Sequence, residues 1–485
     1  MKTMGEPESR RPLRALGLGV LVCLASLAGC MVGPNFQRPE AQVPAKWVGP
    51  VPPPAAETPP AEVDLATWWT VFQDPTLESL VQRAVQSNLD LKVAESRIRQ
   101  ARAARAIAAS GLGPTLDLSA AAQRRRAAGV TANQYQTGFD AGWEVDLFGG
   151  VRRGTEAADA DLQASVEARR DVLVTLAAEV AREYVDLRTS QQRIDIAQQN
   201  LKAQQHTADL TRQRFEGGFA SGLDVANADS QVATTASQIP LLEAAARQSV
   251  YNLSVLLGRE PGALVEELSP ASPVPPAPPS VPVGVPSDLL RRRPDIRAAE
   301  ANIHADTARI GVATADLFPK FTLNGSIGFS ASDLGSWFNP AGRSWSVGPA
   351  VSWNLFNTGR TQSNIELQEA FQEESFIAYR QTVLAALQEV ENALIASAKE
   401  EEHRKELVSA VAANRKAVDL SIKLYTEGLT DFLNVLNAQR SLYGSEDALA
   451  QSTSTVSTDL VALYKALGGG WEESVDAGGG AAKPE

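Results

Sequence analysis

Histidine and cysteine, two residue types that often carry out catalysis, are few in this chain, and no catalytic motif spacing occurs. The three histidines, His206, His304 and His403, fall in separate helical stretches. The sequence contains no HExxH, GxSxG, P-loop or CxxC motif. The glycines at Gly258 and from Gly468 to Gly470 lack the strand and helix that flank a phosphate-binding loop. We therefore expect no catalytic centre, no metal site and no cofactor, and interpret the chain as a protein that is not an enzyme.

Cys30 is the residue with the most specific predicted chemistry. Three arginines and an apolar stretch precede the run Leu27-Ala28-Gly29-Cys30, which is the pattern of a signal peptide that ends in a lipobox. The apolar stretch is too short to cross a bilayer as a helix. We expect residues 1–29 to be removed and Cys30 to carry the lipid, such as palmitate. Cleavage also removes Cys23, so no disulfide forms within the mature chain.

Composition excludes one class of partner and is compatible with a folded, elongated protein. Hydrophobic residues make up 44% of the chain and aromatic residues only 6%, which is low for a compact enzyme. The formal net charge is −12. Because nucleic acids are bound through basic surfaces, we expect no nucleic-acid partner.

The chain is a duplication. When it is compared with itself at an offset of about 205 to 210 residues, similar residues coincide over most of its length. Matching pairs are Asp90 and Asp295, Glu95 and Glu300, Pro114 and Pro319, Leu147 and Leu355, Gly218 and Gly428, Leu257 and Leu467. Each copy is predicted to run helix, strand, strand, very long helix, turn and helix.

The predicted domain boundaries follow from this duplication and from Pro-rich and Gly-rich stretches. They are a signal peptide (1–29), a lipidated Pro-rich segment (30–62), repeat 1 (63–270), a Pro-rich linker (271–286), repeat 2 (287–468) and a flexible tail (469–485).

Four strands are predicted from alternating apolar and polar residues, at about 115–123, 135–147, 321–329 and 345–355. Segments of this length with one apolar face are typical of strands that cross a membrane, although a sheet on a soluble core shows the same alternation. The neighbouring stretches are helical and leave no element to cover the apolar face, which favours the membrane. The acidic residues expected on the polar, lumen-lining face are Asp117, Asp140, Glu144 and Asp146.

Two other groups accompany the strands. Trp143, Trp345 and Trp353 are expected in a lipid-interface girdle. The basic run from Arg124 to Arg126 is expected in an external loop, either solvated or in contact with lipopolysaccharide phosphates.

Two very long helices are predicted, from about Arg152 to Glu216 and from about Arg360 to Glu427. Apolar residues recur at close to 3.5 positions, the coiled-coil period, and about 65 residues make a helix roughly 100 Å long. A helix of that length has no place inside a globular domain, so these helices must pack on neighbours around a wet centre.

Oligomerisation follows by elimination. Four strands cannot close on themselves, and an open edge in lipid leaves unpaired backbone groups. About eight strands is the practical minimum for a closed barrel, so at least two chains are required. We infer a homo-oligomeric conduit with strands at one end and helices at the other.

Several short segments resemble one known family. They are Cys30 to Pro34, Trp69 with Phe72 and Asp74-Pro75, Trp143 with Asp146 to Gly149, and the turns at Phe215 to Gly218 and Tyr425 to Gly428. In this order and spacing, the chain resembles the outer-membrane factors of the TolC, OprM and NodT kind over essentially its whole length.

The resemblance implies an α+β membrane channel. Three copies would form a 12-stranded outer-membrane β-barrel and a 12-helix periplasmic α-barrel, anchored by lipid in the outer membrane of a Gram-negative bacterium. Such a channel is passive, and works with a periplasmic adaptor protein and an inner-membrane transporter of the resistance-nodulation-division type to export drugs or metabolites. The alternatives are the channel of a type I protein secretion system and, in another class, a lipid-anchored coiled-coil structural or adaptor protein. Because an adaptor needs no apolar-out membrane strands, the alternating strands favour the channel.

The resemblance also places functional residues at the helical turns. The adaptor-contact turns are Glu216, Gly217 and Gly218 in the first copy and Thr426, Glu427 and Gly428 in the second. The periplasmic gate residues are Asp224, Leu433, Asn434, Asn437 and Arg440.

This chain departs from its relatives at two gate positions. Relatives commonly carry aspartates where it has the amides Asn434 and Asn437, which weakens the case for a cation-selective gate there and makes Asp224 the better candidate for a charged ring. The alternative is that Asp224 and Asn434 only cap helices.

Overall fold

The computed structural model describes residues 31–50, 65–277 and 284–472. The predicted signal peptide and the predicted lipidation site Cys30 lie outside these residues, as do parts of the predicted Pro-rich segment, linker and tail. The helices are α1 (Pro75–Ser87), α2 (Leu89–Ser110), α3 (Gly150–Glu216), α4 (Gly222–Leu256), α5 (Val265–Leu268), α6 (Pro286–Arg292), α7 (Pro294–Ala315), α8 (Thr358–Thr426) and α9 (Phe432–Ala466). The strands are β1 (Thr115–Ala127), β2 (Val130–Val145), β3 (Lys320–Ala331) and β4 (Arg343–Ser352).

The duplicated order of elements is confirmed. In the first copy α2, β1, β2, α3 and α4 follow one another, and in the second α7, β3, β4, α8 and α9 do the same. The long helices have 67 and 69 residues, and the helices that follow them have 35 residues each. Among the described residues, no helix is both long enough and apolar enough to cross a membrane.

The strand ends differ from the predicted ones because backbone pairing extends beyond the alternating pattern. β1 continues to Ala127, and β2 begins at Val130, because a two-residue turn with positive φ at Ala128 (50°) and Gly129 (85°) joins them. Two positive φ angles are the signature of the tight type I′ hairpin. The prediction of an external loop at Arg124 to Arg126 is therefore wrong, since all three arginines lie in β1.

The other ends of the hairpins are also shifted. β2 stops at Val145 and β4 at Ser352, so Asp146 and Trp353 lie just past their strands rather than in them. Trp143 and Trp353 nevertheless share one role, since each donates its indole N–H to a carbonyl oxygen, of Leu112 at 3.0 Å and of Leu317 at 3.1 Å.

The strands form one antiparallel sheet in the order β1-β2-β3-β4. The central β2–β3 pairing joins the two copies, with Asp140 opposite Ser326 and Phe139 opposite Ile327. One face carries almost only polar and small residues, among them Asp117, Gln136, Asp140, Thr322, Asn324, Ser326 and Ser346. The other face carries Leu116, Leu118, Phe139, Trp143, Leu323, Ile327, Trp345 and Val347, all exposed. In this chain β1 and β4 each have one unpaired edge.

The chain divides into two compact units, and each takes residues from both copies. The first comprises the described parts of Met1–Glu40, Arg97–Val166 and Ala298–Arg380, and the second those of Ala41–Ser96, Glu167–Arg297 and Gln381–Glu485.

Helices of the first unit contact one another in the order α2, α3, α7, α8. Arg105 of α2 pairs with Asp159 of α3 at 2.5 Å. Arg309 of α7 pairs with Asp161 of α3 at 2.6 Å, and Asp306 of α7 accepts a hydrogen bond from Ser375 of α8. This order places α2 and α8 at the two ends of the row.

Residues 31–40, here the N-terminal segment, pack on α3 and α7 within the first unit. The buried side chain of Arg153 donates to the Val32 carbonyl (3.2 Å) and to Asn35 Oδ1 (2.6 Å). Phe36 stacks on the His304 ring at 4.4 Å. Arg153 and His304 also both hydrogen-bond the Glu156 carboxylate, at 2.7 and 3.0 Å. Burial by itself raises the pKa of Glu156, but these two hydrogen bonds outweigh burial and lower the pKa.

The core of the second unit is built around Trp68, which is fully buried and stacks on Tyr464 at 5.2 Å. Asp74 caps α1 and also accepts a hydrogen bond from the Tyr184 hydroxyl at 2.8 Å, so cap and core are joined. The predicted flexible tail is wrong at its start. Trp471 donates to the Arg292 carbonyl at 3.0 Å and lies beneath the guanidinium of Arg170 at 4.6 Å.

Candidate functional site: the two helical turns and the polar face of the sheet

Both long helices end in the same kind of turn. After α3, Gly218 has φ +78°, and the Phe219 N–H donates to the Arg214 carbonyl at 2.7 Å. After α8, Gly428 has φ +78°, and the Leu429 N–H donates to the Leu424 carbonyl at 2.8 Å. This six-residue bond around a left-handed residue is the Schellman motif, which strongly favours glycine. Gly218 and Gly428, two of the three glycines predicted in the adaptor-contact turns, are thus favoured by backbone conformation.

A small apolar cluster supports the turns. Its buried members are Ala208, Ala228, Tyr425, Phe432, Val435 and Leu436, contributed by α3, α4, α8 and α9. The Arg214 guanidinium lies 4.7 Å from the Tyr425 ring centroid and donates to the Thr426 carbonyl at 3.0 Å. A cation over an aromatic ring is favourable by about 0.5–1 kcal/mol when exposed. Arg214 therefore links the end of one long helix to the end of the other.

Asp224 takes part in a helix cap. Its Oδ2 accepts from the Ser221 N–H (2.9 Å) and hydroxyl (2.8 Å), while the Ser221 hydroxyl oxygen accepts from the Asp224 N–H (3.2 Å). This is a capping box, so the capping interpretation describes the geometry of Asp224. In the second copy the carboxylate stands at the N-cap instead, because Asp431 takes the place of Ser221 and Asn434 the place of Asp224. Asn434 donates to the Thr430 hydroxyl at 2.7 Å.

The start of α9 therefore still carries a carboxylate, three residues earlier than in the first copy. Asp431 is exposed and makes no side-chain cap hydrogen bond, in contrast to Asp224. Sequence reasoning compared only Asn434 and Asn437 with the aspartates of relatives and missed Asp431. The available signal was the repeat itself, because Asp431 aligns with Ser221 at the 210-residue offset.

Arg440 makes no ion pair with any residue that the structure describes. Leu433 is 56% exposed, and Asn437 is exposed as well. Arg440 donates from Nε to Gln231 Oε1 at 2.6 Å. Its hydrogen-bond partner is thus the amide of Gln231 on α4, and not Asp224.

Each turn also presents a large apolar residue that sequence reasoning did not single out. Phe219 is 77% exposed and Leu429 is 69% exposed, and each directly follows the left-handed glycine of its turn. Their equivalence in the two copies was the signal that could have found them. Exposed apolar residues beside acidic ones, here Glu216 and Glu427, suit contact with another protein.

The polar face of the sheet brings together most of the predicted lumen-lining carboxylates. Asp117 lies directly opposite Asp140 in the register, and Glu144 lies on the same face opposite Thr322. The prediction that Asp146 lies on the polar face of a strand is wrong, because this residue follows β2. Its side chain accepts a hydrogen bond from the Arg152 N–H at 2.8 Å. Its side chain therefore caps the start of α3.

The histidines remain apart from one another. His304 lies between Phe36 and Glu156, and His403 hydrogen-bonds Glu400 on its own helix at 3.2 Å. Within the described residues, no three His, Cys, Asp or Glu side chains form a group that could hold a metal ion.

Comparisons with known proteins agree along nearly the whole chain. The outer membrane efflux protein family model matches residues 80–259 and 285–469. The chain is 34% identical over 460 residues to a nodulation protein T of Rhizobium leguminosarum bv. trifolii, covering 93% of this chain and 97% of that protein. It is 33% identical over 470 residues to the toluene efflux pump outer membrane protein TtgC of Pseudomonas putida, covering 94% and 96%. The solved outer-membrane channel OprN superposes with a TM-score of 0.85 at 37% identity, covering 91% of this chain and all of that one.

Proposed function

Because this chain belongs to the outer membrane efflux protein family, we propose that three copies of it form the passive exit duct of a tripartite efflux pump. The chain is an outer-membrane efflux channel of a Gram-negative bacterium and has the α+β fold of such channels. The proposal adds the trimer, a lipid anchor at Cys30, a periplasmic adaptor, an inner-membrane pump of the resistance-nodulation-division type and small apolar or amphiphilic cargo. The naming of TtgC as a toluene pump component supports that cargo class.

The observation that carries the trimer is that both ends of the first unit are incomplete. β1 has an unpaired edge and continues α2, whereas β4 has an unpaired edge and leads into α8. Pairing β1 of one copy with β4 of the next satisfies both edges, and α2 then lies beside α8 of the neighbour. Such a head-to-tail contact generates a closed ring when the rotation closes. Three copies supply twelve strands.

Charge along α2 and α8 supports that contact. Arg99 and Arg102 of α2 are exposed and form no ion pair within the described chain. Glu366 and Glu369 of α8 are likewise exposed and unpaired there. Arg102 lies eight residues before the end of α2 and Glu366 eight residues after the start of α8, so both lie about 12 Å from the ends nearest the sheet. Arg99 and Glu369, each eleven residues away, both lie about 16 Å from the same ends.

The gate is proposed at the start of α9. Leu433 is the most exposed apolar side chain on its first turn. Beside it lies the carboxylate of Asp431, which makes no cap hydrogen bond. In a ring of three copies these residues would line the narrow entrance, with Asn434, Asn437 and Arg440 around them. The turns with Phe219 and Leu429 would meet the adaptor.

Single-channel conductance of the purified protein in planar bilayers tests the channel and the gate together. Leu433→Ala is compared with wild type and with Leu223→Ala, the matched exposed leucine of the first copy. We expect small steps for wild type and larger steps for Leu433→Ala, with little change for Leu223→Ala. Conductance steps of equal size in all three proteins would contradict a gate at Leu433. Folded, oligomeric protein that forms no pore would contradict the channel and favour an anchored coiled-coil role.

The lipid anchor has a separate test. Cells supplied with radiolabelled palmitate should label the wild-type protein and leave Cys30→Ala unlabelled. Label on the variant would contradict the anchor at Cys30.

A further inference from the structure

Three arginines lie on the apolar face of the sheet, at its hairpin end. Side chains alternate along β1, so Arg124 and Arg126 share the face of Leu118, while Arg125 points to the polar face. Arg343, the first residue of β4, lies opposite Phe329 and is therefore also on the apolar face. All of these arginines are exposed.

The position of Arg124 and Arg126 along their strand can be compared with the extent of the apolar face. On β2 the apolar positions run from Tyr135 to Val145, about 34 Å along the strand. With a strand tilt of about 40°, that is a band about 26 Å tall, close to the outward apolar band of about 25 Å in membrane sheets. Arg124 and Arg126 lie opposite Asn133 and Thr131, just beyond this band. They therefore lie at the level where lipid head groups begin.

No side chain of the described residues compensates these charges. Within the described residues, Arg124, Arg126 and Arg343 make no ion pair or side-chain hydrogen bond. The acidic residue of the adjoining β3–β4 loop, Asp333, is engaged by the Ser336 N–H and hydroxyl. Arginines without a carboxylate, at the edge of an apolar surface, are suited to an anionic ligand that has an apolar part.

An aromatic cluster provides the apolar part of the surface. Trp337 of the β3–β4 loop lies 5.4 Å from the Tyr135 ring, and Phe338 lies 6.0 Å from the Phe329 ring. Trp337 and Phe338 stack on each other at 5.7 Å. The loop thus extends the apolar face towards the level of the arginines.

Ring closure brings the arginines of two copies together. When β1 pairs with β4 of the next copy, Arg343 of one copy lies on the same face as Arg124 and Arg126 of the other. Arg343 is nearer the apolar band, because it lies opposite Phe329, which in turn pairs with Thr137. Arg124 and Arg126 are about 7 Å apart along the strand, and neighbouring strands are about 5 Å apart. The spread matches a head group that carries more than one phosphate, and guanidinium groups bind phosphate through paired hydrogen bonds.

A ring of three copies has one such patch of arginines at each of its three interfaces. We propose that each patch binds the bis-phosphorylated glycolipid of the outer leaflet, the lipid A part of lipopolysaccharide. The arginines contact its phosphates and the apolar band contacts its acyl chains. The hairpin end is the end that faces the outer leaflet, since the helices extend into the periplasm. The inference rests on the proposed function for this orientation and for closure of the ring.

The test measures binding of bis-phosphoryl lipid A to the full-length oligomer in detergent by native mass spectrometry. Arg124→Gln, Arg126→Gln and Arg343→Gln, each made alone, are compared with Arg125→Gln, which also removes one charge but from the polar face of the sheet. The double variant Arg124→Gln with Arg126→Gln is measured as well. We expect the affinity to fall about tenfold or more in the double variant and by a smaller factor in each single variant of the apolar face, because charge-assisted hydrogen bonds are lost. The affinity should change less than about twofold in Arg125→Gln. Monophosphoryl lipid A and phosphatidylglycerol should bind wild type more weakly than bis-phosphoryl lipid A.

Three results would overturn the proposal. These are an equal loss in Arg125→Gln, no loss in any variant, and phosphatidylglycerol binding as tightly as lipid A. Oligomeric state and pore formation are measured on the same samples. Failure of the oligomer or pore in wild type contradicts the proposed function, whereas intact pores with unchanged lipid A affinity contradict only this inference.

Discussion

Charge reversal on α2 is the most direct test of how the copies assemble. Replacing Arg99 and Arg102 with glutamate should set like charges against Glu366 and Glu369 of the neighbouring copy. An exposed ion pair contributes about 0.5 kcal/mol, so two pairs at each of three interfaces contribute about 3 kcal/mol per trimer. Reversal replaces attraction by repulsion of similar size, which brings the expected loss of assembly free energy to about 6 kcal/mol.

The measurement is the trimer–monomer equilibrium in detergent by analytical ultracentrifugation. On dilution, we expect the trimer of the double variant Arg99→Glu with Arg102→Glu to dissociate at a much higher protein concentration than the wild-type trimer. Glu366→Arg with Glu369→Arg should weaken assembly to a similar extent. Combining all four substitutions restores opposite charges at the same heights and should recover most of the loss.

Salt provides an independent check. Since exposed charges are screened over about 10 Å at 0.1 M salt, high salt should weaken wild type and partly rescue the reversed variants. If the variant with all four substitutions assembles no better than either double variant, the proposal that α2 faces α8 of the neighbouring copy is refuted. Unchanged assembly of every variant would also refute it.

Two further predictions concern the turns and the N-terminal segment. Gly428→Ala should lower the free energy of unfolding by about 1–2 kcal/mol, because φ is +78° there. Gly444→Ala lies inside α9 with open space around the new Cβ, so it should raise the free energy of unfolding by up to about 1 kcal/mol. Thermal unfolding measures both, and equal effects would contradict the backbone argument. The pKa of Glu156 is lowered in the folded protein. The ionised carboxylate therefore stabilises the fold fully above the unfolded-state pKa of about 4.3. This stabilisation is lost as the pH falls through the lower pKa of the folded state. The protection factors for hydrogen exchange in the N-terminal segment, which correct for the pH dependence of the intrinsic exchange rate, should therefore fall below about pH 4 in wild type and depend less on pH in Glu156→Gln. An identical acid response in both proteins would contradict this.

Much of the fold could be predicted from local patterns. The repeat at an offset of about 205 to 210 residues predicted the duplicated order of elements, because equivalent patterns of apolar residues form equivalent elements. The glycines at Gly218 and Gly428 predicted the turns, since few other residues adopt positive φ. Alternation along the strands predicted which side of the sheet is polar, because successive side chains point to opposite faces.

Other features depended on contacts that no local pattern contains. The hairpin turn at Ala128 and Gly129 extended β1, because pairing with β2 continues through polar residues that alternation alone does not mark as strand. Trp471 is fixed by a carbonyl and by guanidinium groups far away in sequence, so a Gly-rich composition predicted a flexible tail where the chain is held.

The candidate site shows the same division. Sequence placed Asp224, Leu433 and Arg440 next to the turns, because distance along a helix from a glycine turn is a local property. Only the tertiary structure paired Arg440 with Gln231 of another helix. The sequence by itself determined the elements and their repetition, through periods of two and about 3.5 residues and through glycine positions. The tertiary structure decided strand register and side-chain partners, because both depend on which distant segments pair.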